Sequence, residues 1–334
     1  MATRVSLLAL AMLAAFSLAV LHMNMMLSAV SKPEHLPPSA VQGPSAGSGS
    51  SVSTSSRTTA IKLGHGGRAE GGLVVKVDPY ARALASGRRD ATVYGFGIAA
   101  LWRKESIPEA ALLRQRYDAF AERVRAIPTA RDTVYVYPFE AFHCTVAALV
   151  KFTAPALASK SAAVRRQHTD AWHAAISRAF SSPRFPRSPG KLIMGRPSLG
   201  NAAAVFRYDN PGGEVATIRR LIRDAIESDA ELQAAGVEFD SGTLGIPEIV
   251  HSSFLRFTGR LSGISDDLST DAAAEAQAEA QAARNFAREF DAVADSWEPL
   301  EITLSEVCFV IEDVPYMHGY GTMPDKIIQR YPLH

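Results

Sequence analysis

The chain has 334 residues, of which 47% are hydrophobic and 21% are charged. Its 35 lysine and arginine residues nearly balance its 34 aspartate and glutamate residues, so a net charge of +1 offers no global field to attract long nucleic acid or an anionic membrane. Two cysteines are too few for a disulfide framework or a zinc ribbon. This composition excludes a disulfide-rich miniprotein, a collagen, a coiled coil and a polytopic membrane protein.

An apolar segment lies near the N-terminus. Residues 5–30 contain no Asp, Glu, Lys or Arg and are bounded by Arg4 and Lys32. The segment is long enough to span a bilayer as a helix, so we expect residues 1–31 to form a signal anchor. A cleaved signal peptide or an organelle-targeting peptide is the alternative, and the flanking charges leave the topology open. The predicted location is a single-pass membrane protein of the secretory pathway, or a secreted one.

Residues 32–72 are rich in serine, glycine and proline, with runs such as Gly-Ser-Gly-Ser-Ser. Such a composition buries too little apolar surface to offset chain entropy, so we expect a disordered stalk. The remainder, residues 73–334, has the composition of a folded domain and is large enough for a substantial core.

The folded domain alternates between helical and strand periodicity, which predicts an α+β fold. The expected strands are 92–101, 133–137, 142–152, 191–194, 202–208, 249–257 and 300–311. Four helices are expected. The first begins at Pro108, the second and third carry apolar faces over 164–179 and 215–226, and the fourth ends near Val293. The first strand contains glycines where another backbone can approach closely. Residues 259–283 have almost no apolar residue larger than alanine and are expected to be an exposed insertion that becomes helical.

Two of these strands carry the same short motif. The first reads His143-Cys-Thr145-Val and the second reads His251-Ser-Ser253-Phe. Side chains at i and i+2 project from the same face of a strand, so each motif presents an imidazole and a hydroxyl together, with the intervening residues on the opposite face. Two such strands facing one cleft would offer two imidazoles and two hydroxyls, a set that suits a phosphate group.

Either motif alone is a weak signal. About one His-x-Ser/Thr match is expected by chance among the histidines of this chain, and an isolated match is typical of a half-buried histidine bonded to a hydroxyl or carbonyl. Both matches here lie inside the most strand-like apolar runs of the chain. This context favours a paired functional site.

The chain resembles the two-histidine (2H) phosphoesterase superfamily, whose members include bacterial LigT-type RNA 2′,3′-cyclic phosphodiesterases and plant cyclic phosphodiesterases. The resemblance covers about residues 92–317 and rests on the strand after Tyr94, the two histidine motifs and the apolar strand 300–311. It implies a bilobal fold in which two antiparallel sheet lobes, flanked by helices, each contribute one motif to a central groove.

By motif position, the resemblance implies that His143 and His251 are catalytic and that Thr145 and Ser253 bind phosphate. Arg256 resembles a basic residue that is common after the second motif, although simple strand alternation would turn it away from the histidines. We expect no metal and no cofactor, since neither motif has a carboxylate cluster beside it. The expected partner is a small nucleotide or an RNA-terminal phosphodiester, and the expected state is a monomer.

The predicted function is metal-independent hydrolysis of 2′,3′-cyclic or related 2′,5′ or cyclic nucleotide phosphodiesters. Imidazoles titrate near neutral pH, so one histidine can accept a proton while the other donates one. The sequence leaves open which histidine is the base. Two alternatives are a catalytically silent domain of this type that binds a nucleotide or a partner, and an anchored glycosyltransferase, although the chain lacks the Asp-x-Asp metal motif typical of the latter.

Two further features are interpreted more simply. Arg219, Arg220 and Arg223 lie on one predicted helix beside acidic residues and are expected to form a solvated face. The segment from Tyr316 to His318 is a loop that the sequence neither places at the groove nor excludes from it.

Overall fold

The computed structural model describes residues 73–88, 93–103, 107–153, 155–236, 244–263, 272–318 and 324–333. The chain divides into two compact units, Met1–Lys62 and Leu63–His334, and all described residues belong to the second. The predicted N-terminal segment 1–31 and stalk 32–72 therefore lie outside the described residues.

The predicted membrane anchor is corrected. In the ranges given above, no helix is both long enough and apolar enough to cross a bilayer. This finding overturns the predicted single-pass or secreted location, and the signal anchor on which it depended, residues 1–31, has no support among the described residues.

Strands and helices alternate along the domain, as predicted. The strands are β1 (Gly95–Leu101), β2 (Val134–Val136), β3 (His143–Val150), β4 (Gly190–Met194), β5 (Ser198–Leu199), β6 (Ala203–Asp209), β7 (His251–Phe257), β8 (Leu300–Leu304), β9 (Glu306–Glu312) and β10 (Ile327–Pro332). The α-helices are α1 (Pro79–Ala85), α2 (Ala110–Arg125), α3 (Pro155–Ala158), α4 (Ala162–Phe180), α5 (Glu214–Ser228), α6 (Ala230–Ala234) and α7 (Ala272–Ala294).

The strands form two antiparallel sheets. The first has the order β10-β9-β1-β3, and the second has the order β2-β7-β6-β4-β8 with β5 paired to β6. The α+β class with antiparallel sheets is therefore confirmed. The two motif strands, β3 and β7, belong to different sheets.

An aromatic core connects the sheets directly behind the motifs. Phe142, which precedes the first histidine, stacks on Tyr117 of α2 with ring centroids 4.5 Å apart. Phe206 on β6 contacts both Phe142, at 5.7 Å, and Phe254 on β7, at 4.8 Å. All four rings are buried, so burial of large apolar side chains fixes the backbone from which both histidines project.

The predicted strand 300–311 is two strands, which corrects the sequence interpretation. β8 pairs with β4 in the second sheet, whereas β9 pairs with β1 in the first, and the chain changes sheets at Ser305. The burial pattern explains the break, because β8 alternates between buried and more exposed residues while β9 has four consecutive buried residues. A strand covered on one face is followed by one covered on both faces.

The predicted insertion 259–283 is anchored at both of its described ends, and residues 264–271 lie outside the described residues. The Glu279 carboxylate accepts the backbone N–H groups of Leu261, at 3.1 Å, and Ser262, at 2.9 Å. Leu261 and Ala283 are buried. The alanine-rich part is helical from Ala272, as expected.

The close backbone approach predicted at the β1 glycines is confirmed. A Cβ atom on Gly97 would lie 2.5 Å from the carbonyl oxygen of Ala147 on β3. We expect Gly97→Ala to lower the free energy of unfolding by about 2 kcal/mol, because the neighbouring backbone would have to shift. Urea denaturation checks this, with Gly259→Ala as the control, since its added methyl would meet nothing nearer than 3.9 Å. Equal losses in the two variants would contradict the packing argument.

Candidate active site

The two motif strands meet where the two sheets separate. β3 is an edge strand of its sheet. β2 pairs with β7 only at Leu255–Phe257, and Tyr137 N–H donates to the Phe254 carbonyl, so residues 251–253 are left open on that side. The chain leading into β7 runs antiparallel to β3, and Ala148 and Gly245 exchange two backbone hydrogen bonds of 2.7 Å. A groove opens beside this bridge, and Ala148 and Gly245 are among its lining residues.

The groove has a volume of about 400 Å³ and brings together all four predicted site residues, His143, Thr145, His251 and Ser253. Its polar and aromatic lining also includes Tyr137, Lys151, Phe152, Arg256, Glu312 and Tyr316. The residues selected from the two motifs therefore share one cavity, with further side chains that the sequence did not single out.

Each motif strand contains a β-bulge at the same position. In β3 the register skips Val146, and in β7 it skips Phe254, each three residues after its histidine. A bulge inserts one extra residue and inverts the alternation of side chains beyond it. The burial patterns of the strands agree, because both run half-buried, buried, half-buried and then two buried residues in succession.

The bulge in β7 corrects the predicted orientation of Arg256. Because the alternation is inverted after Phe254, Arg256 lies on the groove face. Its guanidinium is 3.5 Å from the Asp78 carboxylate and 4.6 Å from the centre of the Tyr316 ring. The ion pair and the cation–π contact hold this cation beside the second motif.

Both histidines are oriented by the same local contact. Nδ1 of His143 lies 2.7 Å from the carbonyl oxygen of Ala141, and Nδ1 of His251 lies 3.4 Å from that of Ile249, in each case two residues earlier. A carbonyl only accepts hydrogen bonds, so in the neutral rings Nδ1–H donates and Nε2 keeps its lone pair. The tighter contact at His143 defines its tautomer more strongly.

The surroundings favour the neutral form of both histidines. Burial lowers the pKa of His143 to about 4, and the neighbouring His318 and His251 add to this effect. Burial also lowers the pKa of His251 below its ordinary value of 6.5, with additional contributions from Arg219, Arg256 and Arg207. In the free protein at pH 7, both imidazoles are therefore mainly uncharged.

The residues between the motif positions face the core, as alternation predicts. Ser252 is buried and hydrogen-bonded to Tyr208 Oη at 2.8 Å, and it accepts a bond from Trp102 Nε1 at 3.4 Å. Cys144 is buried as well. In the part of the chain that the structure describes, the Thr145 and Ser253 hydroxyls have no hydrogen-bond partner, so both can bind a ligand.

The loop after β9 supplies an aromatic wall of the groove, which the sequence left open. Tyr316 is 5.0 Å from the Phe152 ring and 5.6 Å from the Tyr137 ring, and its hydroxyl donates to Asp78. Tyr316 and Met317 both have left-handed backbone conformations, with φ of 58° and 55°. Such residues cost energy unless their surroundings hold them in place.

Glu312 holds this left-handed loop. Its buried carboxyl group accepts the backbone N–H groups of Met317 and Tyr316. Burial nevertheless raises its pKa to about 8, so the carboxyl group is mainly protonated at pH 7. No local sequence signal identifies Glu312 or Tyr316 as groove residues, because their position depends on how the C-terminal strands fold back onto β1.

Within the described ranges, no cluster of three or more His, Cys, Asp or Glu side chains has an arrangement that could hold a metal ion. The polar groups of the groove are instead two imidazoles, three serine or threonine hydroxyls, one lysine, one arginine, a tyrosine pair and the buried carboxyl group of Glu312.

No family model and no curated protein matches the chain. Among solved structures, it is similar to the crystal structure of TT0787 from Thermus thermophilus, with 11% identity and a TM-score of 0.35, over 72% of this chain and 97% of that one. It is also similar to ATU0111, a conserved protein of unknown function from Agrobacterium tumefaciens, with 14% identity and a TM-score of 0.37, over 71% of this chain and 90% of that one. At these levels of similarity, the functional interpretation depends on the groove itself.

Proposed function

We propose that this protein is a two-histidine phosphoesterase that hydrolyses a 2′,3′-cyclic phosphodiester, or a related 2′,5′ or cyclic nucleotide diester. The observation that carries the proposal is the repeated unit in the groove. Each unit has a histidine oriented by the carbonyl two residues earlier, a hydroxyl residue two positions later and a β-bulge one position after that. Two equivalent units on facing strands suit a phosphate held between two imidazoles.

The arrangement of the sheets supports the bilobal 2H architecture that the sequence resemblance implies. One sheet contributes the first motif through the pair β1–β3, and the other contributes the second through β6–β7. The two bulges are as far apart in sequence as the two histidines, so the units repeat in register. We therefore take each sheet as one lobe.

The electrostatics of the groove favour an anionic substrate. Lys151 and Arg256 line the groove as cations, whereas the one carboxyl group among its described lining residues, Glu312, is mainly neutral at pH 7. A phosphodiester therefore meets positive charge, and the Asp78 carboxylate that pairs with Arg256 is not among the lining residues. The Thr145 and Ser253 hydroxyls can donate hydrogen bonds to its non-bridging oxygens and stabilise charge that grows in the transition state.

In the proposed reaction, His143 is the general base, since its low pKa keeps Nε2 unprotonated over most of the pH range. Nε2 takes a proton from water as the water oxygen bonds to phosphorus. The bond from phosphorus to one ribose oxygen breaks, and protonated His251 donates its proton to that oxygen. The product is a phosphate monoester beside a free hydroxyl, and exchange with solvent restores both imidazoles.

This assignment predicts an acidic pH optimum. We expect kcat/KM to rise with pH as His143 becomes neutral above about pH 4. It should then fall as His251 loses its proton, and this fall should begin at a pH below 6.5, because the pKa of His251 is lowered from that ordinary value. Above the second pKa, the decline should approach about tenfold per pH unit. The measurement is hydrolysis of 2′,3′-cyclic AMP by the full-length protein in EDTA across pH 3.5 to 9.

The same assay separates the proposed function from its rivals. Because two imidazoles move both protons, we expect turnover to persist in EDTA, and 2′,5′-linked dinucleotides and 3′,5′-cyclic AMP serve as parallel substrates. Dependence of turnover on an added divalent metal would contradict the mechanism. Binding of 2′,3′-cyclic AMP without turnover would instead indicate the catalytically silent nucleotide-binding domain.

A further inference from the structure

Arg219 departs from the solvated face predicted for its helix. Its neighbour Arg220 is exposed, whereas the Arg219 side chain is only 5% exposed and lies on the side of α5 that packs against β3. In the described part of the chain, it has no carboxylate partner. A guanidinium buried without a counter-ion is costly, so its other contacts have to offset the loss of hydration.

Those contacts reach the backbone of β3 and of the segment just before β7. Nε donates to the carbonyl of Val146, at 2.9 Å, and Nη2 lies 3.4 Å from the carbonyl of Thr145. Nη2 also donates to the carbonyl of Ile249, at 3.0 Å. The first two carbonyls belong to the first motif, and the third is the group that His251 Nδ1 approaches.

Arg219 acts where the two strand edges separate. The paired bridge between Ala148 and Gly245 ends the direct hydrogen bonding between β3 and the chain before β7. Among the described residues, the two edges share no further backbone hydrogen bond, and Arg219 is the group that bonds their carbonyls; buried carbonyls without partners would destabilise the fold. The planar fork of arginine can bond several carbonyls at once, which the single ammonium of lysine does less well.

We infer that Arg219 is a positioning residue that fixes the separation and register of the two histidine motifs from behind the groove. The expected loss of kcat rests on the proposed function, whereas the expected effect on the position and pKa of the two histidines does not. Arg219 touches neither the cavity nor a substrate there, because it contacts the motif backbones from the helix side.

Arg219 also contributes to the charge around His251. The groups acting on the His251 imidazole are Arg219 from α5, Arg256 on its own strand, Arg207 from the paired strand β6, the Ile249 carbonyl and the His143 ring across the groove. The three arginines oppose its protonation and the carbonyl favours it. Loss of Arg219 therefore raises the His251 pKa, an effect that general destabilisation would not produce.

The test compares Arg219→Met, Arg219→Lys and the control Arg220→Met in the full-length protein. For 2′,3′-cyclic AMP, with each variant measured at the optimum of its own pH profile, we expect kcat to fall about 10²-fold in Arg219→Met and about tenfold in Arg219→Lys. KM should change less than about threefold, because misplaced catalytic groups lose rate more than binding. NMR titration should show a higher His251 pKa in Arg219→Met. Arg220→Met should match the wild type in every measurement.

Several results would overturn the inference. An unchanged kcat and an unchanged His251 titration in Arg219→Met would do so, even if the variant melts at a lower temperature. Failure of Arg219→Lys to fold would assign the residue to stability alone. If the wild type hydrolyses none of the phosphodiesters, the proposed function fails, whereas the His251 titration still decides whether Arg219 acts on the second motif.

Discussion

Replacing either groove histidine with glutamine is expected to lower kcat for 2′,3′-cyclic AMP by about 10²- to 10⁴-fold, which is the usual contribution of a positioned acid or base. Glutamine keeps a similar size and can still hydrogen-bond, but it cannot transfer a proton at these pH values. His143→Gln should also abolish the acidic limb of the pH profile, since that limb reports the base. His251→Gln should abolish the alkaline limb.

The double variant provides a sharper test of a shared mechanism. If His143 and His251 act in one concerted step, losing both should cost little more than losing one, because residues that act as a unit are strongly non-additive. His168→Gln is the matched control, since this half-exposed histidine lies on α4 and does not line the groove. Substantial activity in both single variants, or an equal loss in the control, would rule out the assigned roles.

The second large effect concerns stability and comes from Glu312. Its folded-state pKa of about 8 lies far above the ordinary value of 4.5. The folded protein therefore binds a proton that the unfolded chain has already released at neutral pH. Glu312→Gln removes this ionisation, while its amide oxygen can still accept the backbone N–H groups of Tyr316 and Met317.

The sign of the effect follows from the raised pKa. Below about pH 4.5 the Glu312 carboxyl group is protonated in both the folded and the unfolded protein, so it costs no stability. As pH rises from about 4.5 to about 8, the unfolded chain releases this proton while the folded protein keeps it, and the free energy of unfolding falls. At pH 7 the penalty corresponds to roughly 3 kcal/mol, so we expect Glu312→Gln to raise the free energy of unfolding by about that amount. The gain should disappear near pH 4.

Denaturant unfolding of the full-length protein at several pH values measures this gain. Glu298→Gln is the control, since its carboxylate is 88% exposed, and it should leave the pH dependence of stability unchanged. A Glu312→Gln variant whose stability follows pH as steeply as the wild type would disprove the neutral carboxyl group. It would also remove one reason for expecting an anion in the groove.

The amino-acid sequence determined most of the secondary structure, because helices and strands leave their periodicity in nearby residues. The apolar faces of α2, α4 and α5 and the strand runs of β1, β3, β6 and β7 were all predicted close to their observed positions. Exceptions were α1 and β10, for which no element was predicted, and the strand 300–311. Its apolar run continues through the sheet change at Ser305, and a change of partner is not encoded in local hydrophobicity.

The candidate site was likewise predictable from the sequence only in part. His143, Thr145, His251 and Ser253 could be selected from the sequence, since alternation over two residues places each histidine and hydroxyl on one face. Arg256 could not be oriented, because a bulge at Phe254 depends on how β7 pairs with β6. Arg219 resembled a surface arginine, because its burial follows from the packing of α5 against β3.

The sequence by itself determined which residue types repeat and which elements carry them. Only the tertiary structure decided that both motifs line one groove, that Glu312 is neutral inside it and that a buried arginine joins the motif backbones. The physical reason is the sequence separation of the residues that interact. Periodicity depends on side chains a few residues apart, whereas a bulge register, a pKa shifted by burial and a hydrogen bond across 73 residues of sequence depend on segments that meet only in the folded chain.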